Sequence, residues 1–380
     1  MRGHARAPEA HVLFWQLIAR FPMGMMTLGV LMWGEQHFAS YAFGGLLVAT
    51  FTLGFAAGSY LSTRLFRFFR SACVLRVDVV LSASGMLMLV FLPNDIVTAL
   101  VLTALTGLTF PPVTPLARAL YPRLSQGPRL MRVYSLDAIA QEGIWILAPI
   151  FAIGIAGALS PSHVIVLSAV FVLAGTVQFS RLPVLTHYGQ PPLPADTNSR
   201  SPAVPRIVIG FFVIGFFLVA SGAFIEVYVV EQFGYEGVLA GVLLALIAVG
   251  SVAGGLTFAR RPVTRYSLAA RLLIVATGLS VAAAAPWFWL LVVGVFLSGA
   301  GIAPSFTAMH ARIAVVAPSP RAAEVYAFAN TAQLVGLAAG SAVAGVIVDV
   351  APAGYSLAAG AGCVIVAVGV ALILGRKDEG

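Results

Sequence analysis

Charge is what this 380-residue chain has least of. Only 9% of its residues are Asp, Glu, Lys or Arg, where a soluble domain carries about 25%. So few charged groups leave no aqueous surface for a soluble domain of any size. Lysine is almost missing: Lys377 is the single one, beside Asp378 in the tail. A G-x-x-x-x-G-K phosphate loop is therefore excluded, and ATP hydrolysis with it. No apolar run holds a lysine for a Schiff base. The two cysteines, Cys73 and Cys363, make no disulfide framework. The six histidines lack H-E-x-x-H or other metal-ligand spacing, and no nucleophile–base constellation is present. No cofactor, metal or enzymatic role is expected.

What is present is apolar: 60% hydrophobic residues and a mean hydropathy of +0.97. Runs fall at 11–32, 41–63, 72–92, 95–117, 133–158, 162–181, 206–230, 237–258, 266–284, 287–311, 322–348 and 353–374. Each is long enough to cross ~30 Å of hydrocarbon as a helix. Only helices and closed barrels satisfy their backbones in lipid. These runs lack the period-two alternation of a barrel strand. Arg20 interrupts the first run and no small-residue cleavage site follows, so it reads as an uncleaved first helix.

The net charge of +8 is not spread as a nucleic-acid patch would be. The loops after odd-numbered runs contain no Lys or Arg and hold Glu35, Asp95, Glu231, Glu236 and Asp349. Every basic residue except Arg20 lies on the other side, among them Arg64, Arg67, Arg70, Arg118, Arg129, Arg132, Arg260, Arg261 and Arg312. The positive-inside rule makes that side cytoplasmic, with both termini inside a multi-pass protein of the cell (inner) membrane. Trp287 and Trp289 start the tenth run, where an aromatic belt is expected at the outer interface.

Residues 182–205 are rich in proline and polar residues and read as a flexible linker. They separate an N-terminal bundle, 1–181, from a C-terminal one, 206–380. The halves match. At an offset of 196, Gly54, Gly58 and Arg64 align with Gly250, Gly254 and Arg260; at 192, Gly107, Pro112, Arg129, Tyr134 and Gln141 align with Gly299, Pro304, Arg321, Tyr326 and Gln333. The expected fold is an all-α membrane protein of twelve transmembrane helices, in two six-helix bundles related by pseudo-two-fold symmetry. Parallel repeats of this kind mark one secondary-transporter architecture.

At this point the whole chain resembles the major facilitator superfamily. That family's loop 2–3 motif, roughly G-x-x-x-D-R-x-G-R-R, corresponds to Ser59-Tyr60-Leu61-Ser62-Thr63-Arg64-Leu65-Phe66-Arg67. Arg64 and Arg67 are kept, while Thr63 and Phe66 replace the Asp and second Gly. The second copy runs from Gly255 to Arg260 and Arg261, again without the Asp. Ala148-Pro149-Ile150-Phe151-Ala152 resembles the antiporters' helix 5 motif, and Gly340–Gly345 is its counterpart in helix 11. Segments 19–25, 135–149 and 241–256 are similar to actinobacterial efflux permeases. The resemblance implies alternating access by a monomer, proton-coupled, exporting small organic or amphiphilic molecules. An importer of a small metabolite, or a transporter-like sensor that no longer transports, are the alternatives.

Charges inside apolar runs are the sharpest clue, because one at a helix centre costs about 2.5–3.5 kcal/mol. Counting 1.5 Å per residue from His11 and Arg132 puts Arg20 and Glu142 about 14 and 15 Å deep. The family's arrangement sets helix 1 beside helix 5, so these two are candidates for a buried pair. It either locks the helices permanently or handles a proton or substrate. Asp137, about 8 Å in, is expected to pair with Arg118 or Arg132, and Asp78, just past Arg76, with an inner arginine. Glu226, about 30 Å along helix 7, is an outer-mouth carboxylate or a second proton site. His310, which aligns with Arg118, is a snorkelling residue or a relay. Pro111, Pro112 and Pro115 in helix 4, Pro304 in helix 10 and Pro149 in helix 5 each remove a backbone donor and are candidate hinges. The aromatics of helix 7, Phe211 to Tyr228, favour an amphiphilic substrate over a sugar.

The charge map generates a direct test. A cysteine placed beside Arg129 should react with a membrane-impermeant thiol reagent only in inverted vesicles, and one beside Glu231 only in intact cells. The opposite pattern at either site removes the topology.

Overall fold

The computed structural model describes residues 8–66, 68–92, 95–187, 206–234, 238–258, 264, 266–316 and 322–377. Among them the chain is all-helical. The helices are α1 (Pro8–Phe38), α2 (Tyr41–Leu65), α3 (Ser71–Phe91), α4 (Ile96–Leu108), α5 (Val113–Leu124), α6 (Gly127–Ala158) and α7 (Pro161–Ser180). After the short α8 (Pro183–His187) come α9 (Arg206–Phe233), α10 (Leu239–Phe258), α11 (Ser267–Ala283), α12 (Phe288–Val316), α13 (Ala322–Val350) and α14 (Gly354–Lys377). Among the described residues ten segments are long and apolar enough to cross a bilayer; Ile146–Ala158 and Ser267–Ala283 are shorter apolar helices. The protein is thus a multi-pass integral membrane protein. Large apolar side chains such as Phe91, Val97, Leu256 and Trp289 stand exposed on it, as they must where the solvent is lipid.

Three local features differ from the sequence expectations. The fourth run is not one helix: α4 ends at Leu108 and α5 begins at Val113, because Pro111 and Pro112 interrupt the amide ladder. The fifth helix starts at Gly127, not near 133, with Pro128 in its first turn, where a missing N–H costs nothing. Within the expected linker, 183–187 is helical and 188–205 lies outside the described residues.

The chain divides into two compact units, Met1–Val30 with Thr50–Pro194, and Leu31–Ala49 with Ala195–Gly380. In the first, α3 packs on α7 and α4, and α6 on α5 and α7. Its inner core gathers Val12, Ala19, Phe66, Leu75, Ala117 and Tyr121, among others. In the second, α9 packs on α13 and α14, α12 on α10 and α11, and α11 on α14. Residues 31–49 join this unit for a visible reason. The Asp349 carboxylate accepts the Tyr41 amide at 2.8 Å, the Ala42 amide at 2.9 Å and the Ser40 hydroxyl, capping α2 from the end of α13. The turn before it sets Ala39 at φ 51°, a left-handed conformation uncommon outside glycine.

The sequence repeat reappears as packing. A β-carbon on Gly54 would overlap the Ala104 carbonyl, one on Gly58 that of Leu108, and one on Gly107 that of Phe51. In the second unit, Gly250 faces Phe296, Gly254 faces Ala300 and Gly299 faces Ile247 in the same way. Both members of each contact keep the offsets of 196 and 192 found in the sequence. Without a hydrophobic force between helices in lipid, such close backbone approach through small residues supplies the packing energy.

Asp95 caps α4, accepting from the Thr98 amide at 2.9 Å and its hydroxyl at 2.6 Å. These bonds hold its carboxyl below the ordinary carboxylate range. A lowered pKa makes the stabilisation present at neutral pH and lost as pH falls through the folded value. Asp95→Ala should therefore melt below wild type at pH 7, with the gap closing below about pH 4. Thermal midpoints of the two proteins across that range check it.

Candidate functional site

Helices α1 and α6 run side by side in one register. Glu9 pairs with Arg129 at their first turns. Further along, Gln16 and Arg20 meet Asp137, 121 and 117 residues away. Beyond that, Gly24 backs onto Ala148, where a β-carbon would lie 2.7 Å from that of Ala148. Ala148 and Ala152 are fully buried beside Pro149, so α1 packs closely on α6 at the stretch with small residues around its proline.

Register decides the partner of Arg20. Asp137 lies ten residues into α6 and Arg20 twelve into α1, about 15 and 18 Å along. Because α6 begins a turn and a half early, Glu142 falls farther on, about 22 Å from the helix start. The Arg20 guanidinium donates to Asp137 Oδ1 at 2.7 Å. The Glu142 side chain lies outside the described residues.

Asp137 is the centre of a polar cluster buried in the first unit, 1% exposed. Its Oδ1 also accepts from Gln16 Nε2 at 2.6 Å, and its Oδ2 from Arg118 Nε at 2.9 Å. Gln16 Nε2 reaches the Tyr121 hydroxyl at 2.9 Å, and Gln16 Oε1 accepts from Arg20 at 3.2 Å. Three helices contribute: Gln16 and Arg20 from α1, Arg118 and Tyr121 from α5, and Asp137 from α6. Gln16 and Tyr121 are fully buried, whereas the Arg118 side chain is 49% exposed. Two guanidiniums share one carboxylate, so ionising or neutralising Asp137 changes the balance of both. Gln16 and Tyr121 were missed in the sequence. Their signals were there, Gln16 one helical turn before Arg20 and Tyr121 three residues after Arg118, on the same faces.

The remaining candidates stand apart from this cluster. Glu226, half-buried in α9, and His310, stacked on Phe306 in α12, belong to the second unit. Arg64 lies over the Tyr60 ring, 4.8 Å from its centre; Arg67, Arg260 and Arg261 lie outside the described residues. Asp78 was expected to meet an arginine and bonds Ser62 instead, with its Oδ2 unpartnered, while Arg76 turns to Ser180 at 2.9 Å. In the second unit Arg271, 2% exposed, donates to the Pro304 carbonyl at 2.8 Å and covers Phe258. The sequence marked it only as a topology signal. Gly85 and Gly278, seven residues on from Asp78 and Arg271, face Thr106 and Ser298. One half thus sets a carboxylate where the other sets a guanidinium. Among the described residues no group of acidic, histidine or cysteine side chains is arranged to hold a metal.

Helices sized for a bilayer around a buried, hydrogen-bonded ion cluster define the class of polytopic membrane transporters. The sequence profile of the Major Facilitator Superfamily matches residues 12–285, and the chain belongs to that family. Comparison with curated protein sequences gave no match. Among solved structures, a mutant of the nucleoside transporter NupG superposes with a TM-score of 0.76 at 11% identity, over 97% of this chain and 99% of that one. A bacterial homologue of the human lysosomal transporter Spinster gives 0.71 at 14%, over 97% and 96%. A mutant of the peptide transporter POT also gives 0.71 at 14%, over 98% and 94%. At these identities the likeness is one of fold.

The cluster predicts its own energetics. Removing one partner of a buried ion pair costs about 3–5 kcal/mol, since the other charge stays in low dielectric. Asp137→Ala should therefore be strongly destabilising in detergent, Arg118→Ala much less so because the Arg118 side chain is half-exposed. Arg20→Met should restore much of the loss in the Asp137→Leu background. Thermal unfolding of these variants, of Arg20→Met alone and of the unaltered protein measures this, and additive losses for Asp137→Leu and Arg20→Met would mean the pair is not coupled.

Proposed function

We infer that this chain is a proton-coupled secondary transporter that exports small organic or amphiphilic molecules by alternating access. In this reading twelve spans form two six-helix bundles, 1–181 and 206–380, with the linker and both ends in the cytoplasm. The two shorter apolar helices, the outer part of α6 and α11, complete the ten long segments, of which α4 with α5 is one. The cytoplasmic assignment rests on the one-sided arginines.

The observation that carries the proton reading is Asp137: a carboxylate shut away from water, held by Arg20, Gln16 and Arg118. While ionised it ties α5 and α6 to α1. Protonation removes the charge that both guanidiniums answer, and the three helices are released from one another. Loss of the proton restores the tie. The Arg118 side chain, 49% exposed at the end of a span, is where in this reading the cluster exchanges protons with water. Glu142, five residues along the same helix, is the second candidate carboxylate.

Export is supported by the small residues around Pro149, which resemble the antiporters' helix 5 motif and lie against Gly24. The aromatics of α9 support an amphiphilic cargo. The structural neighbours named above carry nucleosides and peptides by their descriptions, so the fold admits a wide range of organic solutes.

Cells expressing the protein should accumulate less ethidium than cells without it, and a protonophore should abolish the difference. Asp137→Asn should keep the protein folded and lose that gradient-dependent effect at least about tenfold, the loss expected when a general acid or base is removed. Glu142→Gln tests the second carboxylate in the same assay. Gradient-dependent uptake would reverse the direction assigned here, and full proton coupling in both variants would end the proposal.

A further inference from the structure

Among the described residues, the prolines of α4 and α5 leave one carbonyl, that of Leu108, to which no amide donates. Pro111, Pro112 and Pro115 each withhold an N–H from the residue four positions earlier. Two of those acceptors are recovered locally. The Gly107 carbonyl accepts from the Phe110 amide at 3.0 Å, and the Pro111 carbonyl from the Val113 amide at 2.8 Å. The third, Leu108, is different. Its partners at three and four residues on are Pro111 and Pro112, and neither has a hydrogen to give. Among the described residues no N–H or O–H reaches it. In hydrocarbon such an acceptor is costly, because there is no water to fill the gap.

What lies against that oxygen is the α-carbon of Gly58. A β-carbon there would sit on top of the Leu108 carbonyl, so the hydrogen glycine carries in its place points at the oxygen. Cα–H···O contacts of this kind are weak, but they are the natural explanation where the same geometry recurs. It recurs here. Gly254 stands against the Ala300 carbonyl, the very group that Pro304 deprives of its donor. Gly58 and Gly254 differ by 196, Leu108 and Ala300 by 192, Pro112 and Pro304 by 192. The neighbouring glycines Gly54 and Gly250 face Ala104 and Phe296, whose own donors, the amides of Leu108 and Ala300, are intact.

The two halves then diverge. In the second, α12 continues through Pro304, and Arg271 binds the Pro304 carbonyl from α11. In the first the helix is broken from Thr109 to Pro112, and the segment beyond, α5, carries Arg118 and Tyr121 to Asp137.

We propose that Gly58 is a pivot: its α-hydrogen caps the proline-freed carbonyl of Leu108 and pins α4 to α2, so that α5 turns about 109–112 and takes Arg118 and Tyr121 off Asp137. Gly254 caps Ala300 in the same way, and Arg271 keeps that second hinge closed. The functional meaning rests on Asp137 as the exchange site, but the pivot itself does not require it.

A double-mutant cycle tests the cap in the purified full chain. Gly58→Ala should lower the thermal midpoint by roughly 5 °C or more, the shift of a few kcal/mol in a domain of this size. Pro112→Ala returns a donor to Leu108 and draws its carbonyl back into the helix, so in the double variant the Gly58→Ala loss should shrink by at least half. The Gly54→Ala loss should be the same with and without Pro112→Ala. Additive Gly58 and Pro112 effects would overturn the cap. Should Gly58→Ala not fold, a second measurement decides alone. With Cys73 and Cys363 replaced, spin labels at the exposed Val97 and Gln126 span the hinge. Their distance distribution should be broad in the otherwise unaltered chain and clearly narrower with Pro112→Ala. Equal widths would overturn the pivot. Neither readout involves a substrate or a proton, so failure of transport would leave the pivot standing, and the reverse.

Discussion

Hydrocarbon offers no partner to a charge or to a backbone amide, and nearly every feature of this protein answers that condition. Charges are expelled to the loops, where their sign becomes a topology signal. Those that remain inside are tied to one another, as Arg20 and Arg118 are to Asp137. Backbone groups are satisfied within helices. Where proline breaks a ladder, the loss is made good by a nearby amide or by a glycine pressed against the orphaned oxygen. Polar atoms left without a partner, such as Asp78 Oδ2 and Arg271 Nε, are the exceptions, and they lie at corresponding places in the two halves.

The same condition makes register matter. Along α1 and α6 a succession of contacts runs from the Glu9–Arg129 pair through the Asp137 cluster to Gly24 on Ala148. A shift of one turn would bring Val133 or Gln141 into the place of Asp137, and taking the carboxylate from Arg20 leaves a buried charge unpaired. Charge pairs and small-residue contacts therefore enforce one alignment from opposite directions, one by attraction and the other by shape. A cluster so constrained suits a switch, because the alignment that makes ionised Asp137 favourable loses its reason when the charge is removed.

Much of this was legible before any coordinates. The apolar runs located the helices because hydropathy over about 20 residues is a strong signal. The offsets of 196 and 192 were visible as identities and returned as backbone contacts, since glycine and proline are kept where only they fit. The candidate site was half legible. Arg20 stood out as a charge within an apolar run, and Asp137 was given an arginine such as Arg118 as its partner. Glu142 was set level with Arg20 because the count along the fifth helix started at Arg132. The segment Gly127–Arg132 is too polar to read as part of a span, yet it is helical, and its extra turn and a half moved Asp137 level with Arg20.

The sequence by itself determined that this is a chain of membrane helices with an internal repeat, because composition and periodicity act locally and lipid permits few alternatives. Only the tertiary structure decided which charges meet, since that depends on the axial register of helices more than a hundred residues apart. It also decided what the glycines beside the prolines are for. A freed carbonyl and the hydrogen that covers it lie on different helices, and no pattern within either one relates them.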